Sequence, residues 1–306
     1  MGTPPEPIRD TSPQRATRRG SRRTSRRAAA GRRSFSSTMR ALEALAASGV
    51  RVSVHVVDLD RGTVAMAGDD HITHPVGGLG AVPLLIEVAA GFDAGTLDPL
   101  EIVERSRVEE VGGPGIWRHL KAPALPLADL AVLVAASGDA LASNLLLDRV
   151  GIDAVHARID SLGLERVALL DRLRDARGPD DAPHFALGSA RELAQVFAAL
   201  VNTTLVNASV SAQVAEWLSL NHDLSLAASA TGLDPFAHDD DDHGLLFINK
   251  TGRDAGVRAE AGVLAGPRAG LAYALIVCFD DLSIVHRLRA HEAFRTLGID
   301  LMEYVY

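Results

Sequence analysis

The sequence predicts an α+β domain, an α/β sandwich in which one antiparallel sheet is flanked by helices and carries an inserted all-helical lobe. Three observations lead there. A strand-and-hairpin pattern occupies 51–68, three runs that read as consecutive strands follow one another over 244–281, and the chain between them has helical periodicity. Strands so far apart must share one sheet to be buried, and a single helical insertion does not repeat as βαβ units.

Each element has a local reason. RVSVHVVDLD (51–60) alternates and is rich in β-branched residues, Arg61-Gly62 makes the turn, and TVAMAG (63–68) is the hairpin partner. AVPLLIEVAAGFDAG (81–95) spaces its apolar residues as a helix, with Gly91 and Gly95 as stops. Residues 127–151 are strongly apolar and helical with a break near Gly138, and 153–163, 190–202 and 210–220 read as further helices. GLLFINKTG (244–252), VRAEAGVLAG (257–266) and LAYALIVCFDD (271–281) read as consecutive antiparallel strands, and 284–306 as a closing helix.

With 306 residues, 47% of them hydrophobic and 23% charged, the chain can build a sizeable core. Aromatics at 4% leave little with which to stack single-stranded nucleic acid. The lone Cys278 can form neither an internal disulfide nor a cysteine-rich zinc site. Residues 1–40 hold eleven Arg against Glu6 and Asp10, so a basic tail precedes an acidic body in a chain of net charge −8. Residues 1–36 read as a disordered Arg/Ser-rich tail, and 37–306 as the folded domain with its helical lobe at about 78–220. Such a tail invites nucleic acid or anionic lipid, but charge blocks are commonly solvated extensions, so nucleic acid is not the expected partner. The arginine pairs lack a following apolar stretch, because ALEALAASG is interrupted by Glu43, and no run of 18 apolar residues occurs. No export signal and no membrane span are therefore expected, and the location expected is cytoplasmic.

The element order, with Asn249-Lys250-Thr251-Gly252 on a late strand, resembles the class A β-lactamase and penicillin-binding-protein superfamily of serine hydrolases, and more narrowly an actinobacterial group within it. The resemblance is carried by 84–99, LPLADLAVLVAASGDALASNLLLDRVGIDAV (125–155), RLRDARGPDD (172–181), LDPFAHDDDDHG (233–244) and NKTGRDAGVRAEAGV (249–263). It covers the chain from about residue 50 to its C-terminus. It implies three polar motifs: a Ser-x-x-Lys with the acylated nucleophile and a basic partner, a Ser-Asp-Asn loop, and a Lys-Thr-Gly strand that binds the substrate carboxylate.

The first motif belongs after His74-Pro75, where the chain has Gly78 at the nucleophile position and Ala81 at the lysine position. No shift of register restores it. Lysine occurs only at Lys121 and Lys250, and three residues before each stand Arg118 and Phe247. The second motif falls on Gly138, Asp139 and Ala140, read back from Asn144, so the shuttle serine and the substrate amide are gone. Asp139 and Asn144 keep structural loop roles, and Ser137 lies next to the vacated serine position. The third motif is intact as Lys250, Thr251 and Gly252, and Arg258 on the next strand is expected to aim a second cation at the same groove. The counterpart of the deacylating Glu falls on Arg174 or Asp175.

The resemblance thus implies a β-lactamase-like pseudoenzyme. Nucleophile and base are missing, and the retained Lys-Thr-Gly strand serves a small carboxylate ligand like a β-lactam or an acyl-peptide. Two other readings stay open: an active hydrolase with a different catalytic set, and an interaction protein that works through its basic tail. No cofactor and no metal are expected. HDDDDH (238–243) reads as a solvated acidic loop, since consecutive residues cannot all face one ion. His71 and His74 flank the nucleophile position, Ser219-Leu220-Asn221 lies outside the motif order, and no G-x-S-x-G elbow is present.

Overall fold

The computed structural model describes residues 35–237 and 244–306. The Arg-rich tail up to Ser34 and the HDDDDH stretch lie outside the described residues. Phe35 is already buried, its ring 5.9 Å from that of Tyr304, so the packed body includes two residues ahead of the expected boundary. From there the chain runs through α1 (Ser36–Ala47), β1 (Arg51–Asp58) and β2 (Thr63–Gly68) to a 3-10 turn at Gly77–Ala81 and α2 (Val82–Asp93). The helical lobe continues with α3 (Leu127–Ser137), α4 (Ala140–Val150), α5 (Ile152–Ser161), α6 (Ala190–Val201) and α7 (Ala208–Ser219). Then come β3 (Leu246–Asp254), β4 (Val257–Ala265), β5 (Gly270–Cys278) and α8 (Ile284–Val305).

The strands form one antiparallel sheet in the order β2-β1-β5-β4-β3, so the first hairpin and the last three strands share it. The central strand β5 is buried along its whole length. Its side chains alternate between two cores, as a period of two requires. Leu271, Tyr273, Leu275 and Val277 pack with α1 and α8, while Ala272, Ala274, Ile276 and Cys278 face the helical lobe. A register slip of one residue would exchange these faces, which pins the sheet. The edge strand β3 lies against the 3-10 turn and α7.

Two local features differ from the expectation. Helix α2 passes through Gly91 and ends at Asp93, because Gly91 is a packing residue: a Cβ there would stand 2.5 Å from the side chain of Leu97. Helix α1 has a stripe of only three buried residues, Thr38, Leu42 and Leu45, too narrow to signal a helix in an Ala-rich stretch. Among the described residues, no helix is long and apolar enough to cross a membrane.

Candidate functional site

A groove of about 380 Å³ runs between the edge strand β3 and the helical lobe. Gly78, Ala81, Ser137, Gly138, Lys250 and Thr251 line it, so segments far apart in sequence converge on one cleft. The 3-10 turn forms one wall. A Cβ built on Gly78 would have only the Thr251 carbonyl oxygen near it, at 3.8 Å. Ala81 is almost wholly buried just ahead of α2, and Pro83 sits in the first turn of that helix, where its missing N–H costs nothing.

Gly252 does not line the groove. A Cβ on it would stand 1.8 Å from the Val76 carbonyl oxygen and 3.0 Å from the Leu79 nitrogen. Its role is close approach: it lets the chain entering the 3-10 turn lie directly on β3.

The junction of α3 and α4 forms the opposite wall. Gly138 adopts a left-handed conformation (φ +63°) that ends α3. Asp139 caps α4 by accepting from the Ala142 N–H at 3.0 Å, and it also accepts from the Trp117 N–H at 2.8 Å. Asn144 holds Leu173 from both sides, donating to its carbonyl and accepting from its N–H, each at 2.8 Å. Ala140 is not on the groove. It is buried, its N–H bonds the Pro114 carbonyl at 2.9 Å, and its methyl packs on Gly113. The loop carrying Pro114 covers it, and Pro114 lines the groove instead.

Lys250 is 1% exposed. Its ammonium donates to the carbonyls of Val134 and Ala135 at 2.6 and 2.9 Å. Both carbonyls lie in the last turn of α3, where that of Val134 also accepts from the Gly138 N–H at 3.1 Å, so the cation sits where the helix dipole favours positive charge. Burial lowers its pKa to about 8, with Asp223 pulling the other way. Arg258, expected to reach the groove, is not among its lining residues. Its guanidinium folds back onto the carbonyls of Asp254 and Val257 at 3.2 and 2.6 Å, and Arg253 is the arginine on the groove.

The loop after α5 also differs from the expectation. Leu173 is the residue it presents to the groove. Arg174 is tied to Asp171 and Asp181, and Asp175 accepts from the Gly112 N–H. His71 and His74 do not line the groove; His71 lies 3.6 Å from Asp70, and burial lowers the pKa of His74.

Sequence reasoning set Asn221 aside with the Ser219-Leu220-Asn221 string and missed Asp223. Asn221 and Asp223 both line the groove. Asn221 donates to the Asn249 side-chain oxygen at 2.7 Å, and Asn249 donates in turn to Glu260 at 2.7 Å. The buried Glu260 also accepts from the Tyr273 hydroxyl at 2.8 Å and the Ala227 N–H at 2.6 Å. Burial raises its pKa to about 7 against these bonds. At Asp223 burial acts in the same upward direction, but the bonds from Ser225 and Thr251 and the charge of Arg253 outweigh it. Its carboxyl is held below the usual range and is ionised at neutral pH.

The hydroxyls on the groove are all engaged. Ser137 donates to the Leu133 carbonyl at 2.8 Å, Ser143 to the Asp139 carbonyl at 2.7 Å, and Thr251 to Asp223 at 2.7 Å. Among the described residues, no histidine or amine hydrogen-bonds to the oxygen of any of the three.

Lys250 makes the pH dependence of stability testable. The unfolded chain keeps the lysine proton up to about its ordinary 10.5, and the folded chain releases it near 8. Between those values the unfolded state binds more protons, so rising pH favours the fold. Relative to Lys250→Met, the wild-type unfolding free energy is expected to gain up to ~3 kcal/mol from pH 8 to 10.5 in urea titrations. Parallel curves for the two proteins would show that Lys250 stays protonated throughout.

The sheet order, the helical lobe and the groove between them define a β-lactamase or penicillin-binding-protein-like fold. The model of the β-lactamase enzyme family matches residues 34–305, and the chain belongs to that family. A β-lactamase from Sphaerobacter thermophilus is similar with a TM-score of 0.75 and 22% identity, over 88% of this chain and 96% of that one. A β-lactamase from Xanthomonas campestris is similar with a TM-score of 0.70 and 17% identity, over 89% and 98%. A PBP-A variant in its acyl-enzyme complex with penicillin G is similar with a TM-score of 0.71 and 16% identity, over 87% and 95%. No curated protein sequence matches the chain.

Proposed function

We propose that this member of the β-lactamase family performs no acyl transfer and that its groove binds a small ligand without covalent chemistry. The observation that carries the reading is the 3-10 turn. Gly78 and Ala81 stand on the groove where the resemblance puts the nucleophile and its base. Covalent catalysis needs a nucleophile beside a base that can take its proton. The groove's hydroxyls donate to carbonyls or to an ionised carboxylate, and its one lysine is spent on the end of α3. What remains is a largely apolar cleft with a few polar groups, of a size that suits a small molecule.

Incubation with penicillin G or a chromogenic cephalosporin is expected to give neither turnover nor a mass adduct. An adduct on Ser137, Ser143 or Thr251 would overturn the reading.

Reversion tests the placement of the site. Gly78→Ser has room for its side chain. Gly138→Ser would force a left-handed φ on a serine, at about 1–2 kcal/mol, and Ala140→Asn would push into Gly113. The informative variant is therefore Gly78→Ser with Ala81→Lys. Once folded, it is expected to gain the mass of penicillin G slowly. A folded double variant with no adduct would show that residues 78 and 81 are not the family's catalytic positions.

A further inference from the structure

The expected carboxylate subsite on β3 already holds a carboxylate. Oδ2 of Asp223 accepts from the Thr251 hydroxyl at 2.7 Å and from the Arg253 guanidinium at 2.7 Å. Its Oδ1 accepts from the Ser225 N–H at 3.2 Å and hydroxyl at 2.6 Å. Four donors thus surround one side chain, and both of its oxygens are satisfied. The backbone that carries it is fixed as well, because Asn221 and Asn249 both donate to the Asp223 carbonyl, at 3.3 and 3.4 Å.

We propose that Asp223 is a built-in carboxylate that fills the groove's anion subsite, so that the groove selects an uncharged, largely apolar small molecule and turns carboxylates away. The proposal rests on reading the groove as a non-covalent ligand site. Thr251 has one hydroxyl proton, and Asp223 takes it. Lys250 gives two of its three N–H donors to the end of α3. Arg253 bonds both Asp223 and Ser225. A ligand carboxylate would find the Thr251 hydroxyl and the Arg253 Nη2 in use and a like charge beside the donors that remain. Near the subsite the groove offers Gly78, Ala81, Pro114, Ala136 and Leu173, which favour apolar contact.

Penicillin G and its methyl ester are matched probes that differ in one charge. Reversible binding would be measured by calorimetry or ligand-observed NMR on the full chain, its Asp223→Ala variant and its Asp223→Asn variant. The wild type is expected to bind the ester about tenfold or more tightly than the acid. In both variants the acid should gain about tenfold or more while the ester changes little. Asp223→Asn keeps the side chain's shape and carries the test if the alanine variant does not fold. Equal wild-type affinity for the two probes, or no gain by the acid in either variant, would overturn the proposal.

Acetate supplies the group that Asp223→Ala removes. It should raise the melting temperature of Asp223→Ala but not of the wild type, compared with chloride at equal ionic strength; no difference from chloride would also overturn the filled subsite. Stabilisation by acetate with no binding of either penicillin probe would uphold the filled subsite and sink the ligand-binding reading of the groove. A covalent adduct on the wild type would sink only the claim of chemical inertness.

Discussion

Glu260→Ala is expected to destabilise the fold by about 3–5 kcal/mol in chemical denaturation. The carboxylate is fully buried and accepts from Asn249, Tyr273 and the Ala227 N–H. Truncation leaves three donors without an acceptor in a site that water does not reach, each at about 1–3 kcal/mol. Relief from burying an acid offsets part of that cost, since burial already pushes the carboxyl up to about 7. Glu260→Gln should cost less, about 1–3 kcal/mol, because it keeps one acceptor and turns its amide on one of the donors. A loss below about 1 kcal/mol for the alanine variant would mean that the network does not support the sheet. Asn221 hangs on the same network through Asn249, so the groove wall should loosen together with the core.

Gly252→Ala is expected to be the most damaging single methyl on the groove side of the sheet, at about 4 kcal/mol or more. The new Cβ would stand 1.8 Å from the Val76 carbonyl oxygen. The obstacle is backbone, so no rotamer change relieves it. The chain entering the 3-10 turn must lift off β3, which carries Gly78 and Ala81 away from Lys250. Gly78→Ala is the matched control: its methyl would have nothing nearer than 3.8 Å and should move stability by no more than about 0.5 kcal/mol. Melting temperatures of the two variants decide the matter, and similar values would show that the turn does not press on the strand.

Strands β1 and β2 were legible from alternation and β-branched residues around the Arg61-Gly62 turn, and β3 to β5 as successive short runs separated by turn residues. The break at Gly138 was legible too, since a glycine between two apolar helical runs points to a left-handed cap. The pairing of His74–Pro75 with Ala186–Gly188 was not, because two or three residues carry no period. In the groove, the positions of Gly78, Ala81 and Lys250 came from the resemblance. That Ala140 is covered and that Arg258 folds away from the groove were not legible for one reason: spacing gives a residue's place along the chain, but not what lies over it or where a long side chain folds. Leu173 differs from Arg174 and Asp175 by one or two positions in a loop, where no periodicity sets the register. Asp223 had no signal at all. It lies in an irregular connection, and only the folded chain brings it to Thr251.

The strand order also constrains how the protein is made. Strand β1 pairs with β5 from Arg51 opposite Cys278 to Asp58 opposite Leu271, so the middle of the sheet joins the two ends of the domain's sequence. A chain leaving the ribosome completes its first hairpin early and must then hold one edge of β1 open through the synthesis of the entire helical lobe. Val54 and Val56 stay uncovered for that time, since their core is completed by β5 and α8. The lobe, whose helices follow one another in sequence, has its partners at hand and can collapse first. A nascent chain stalled before Gly270 therefore presents an unpaired apolar strand edge, the form of the protein most exposed to aggregation and to chaperones.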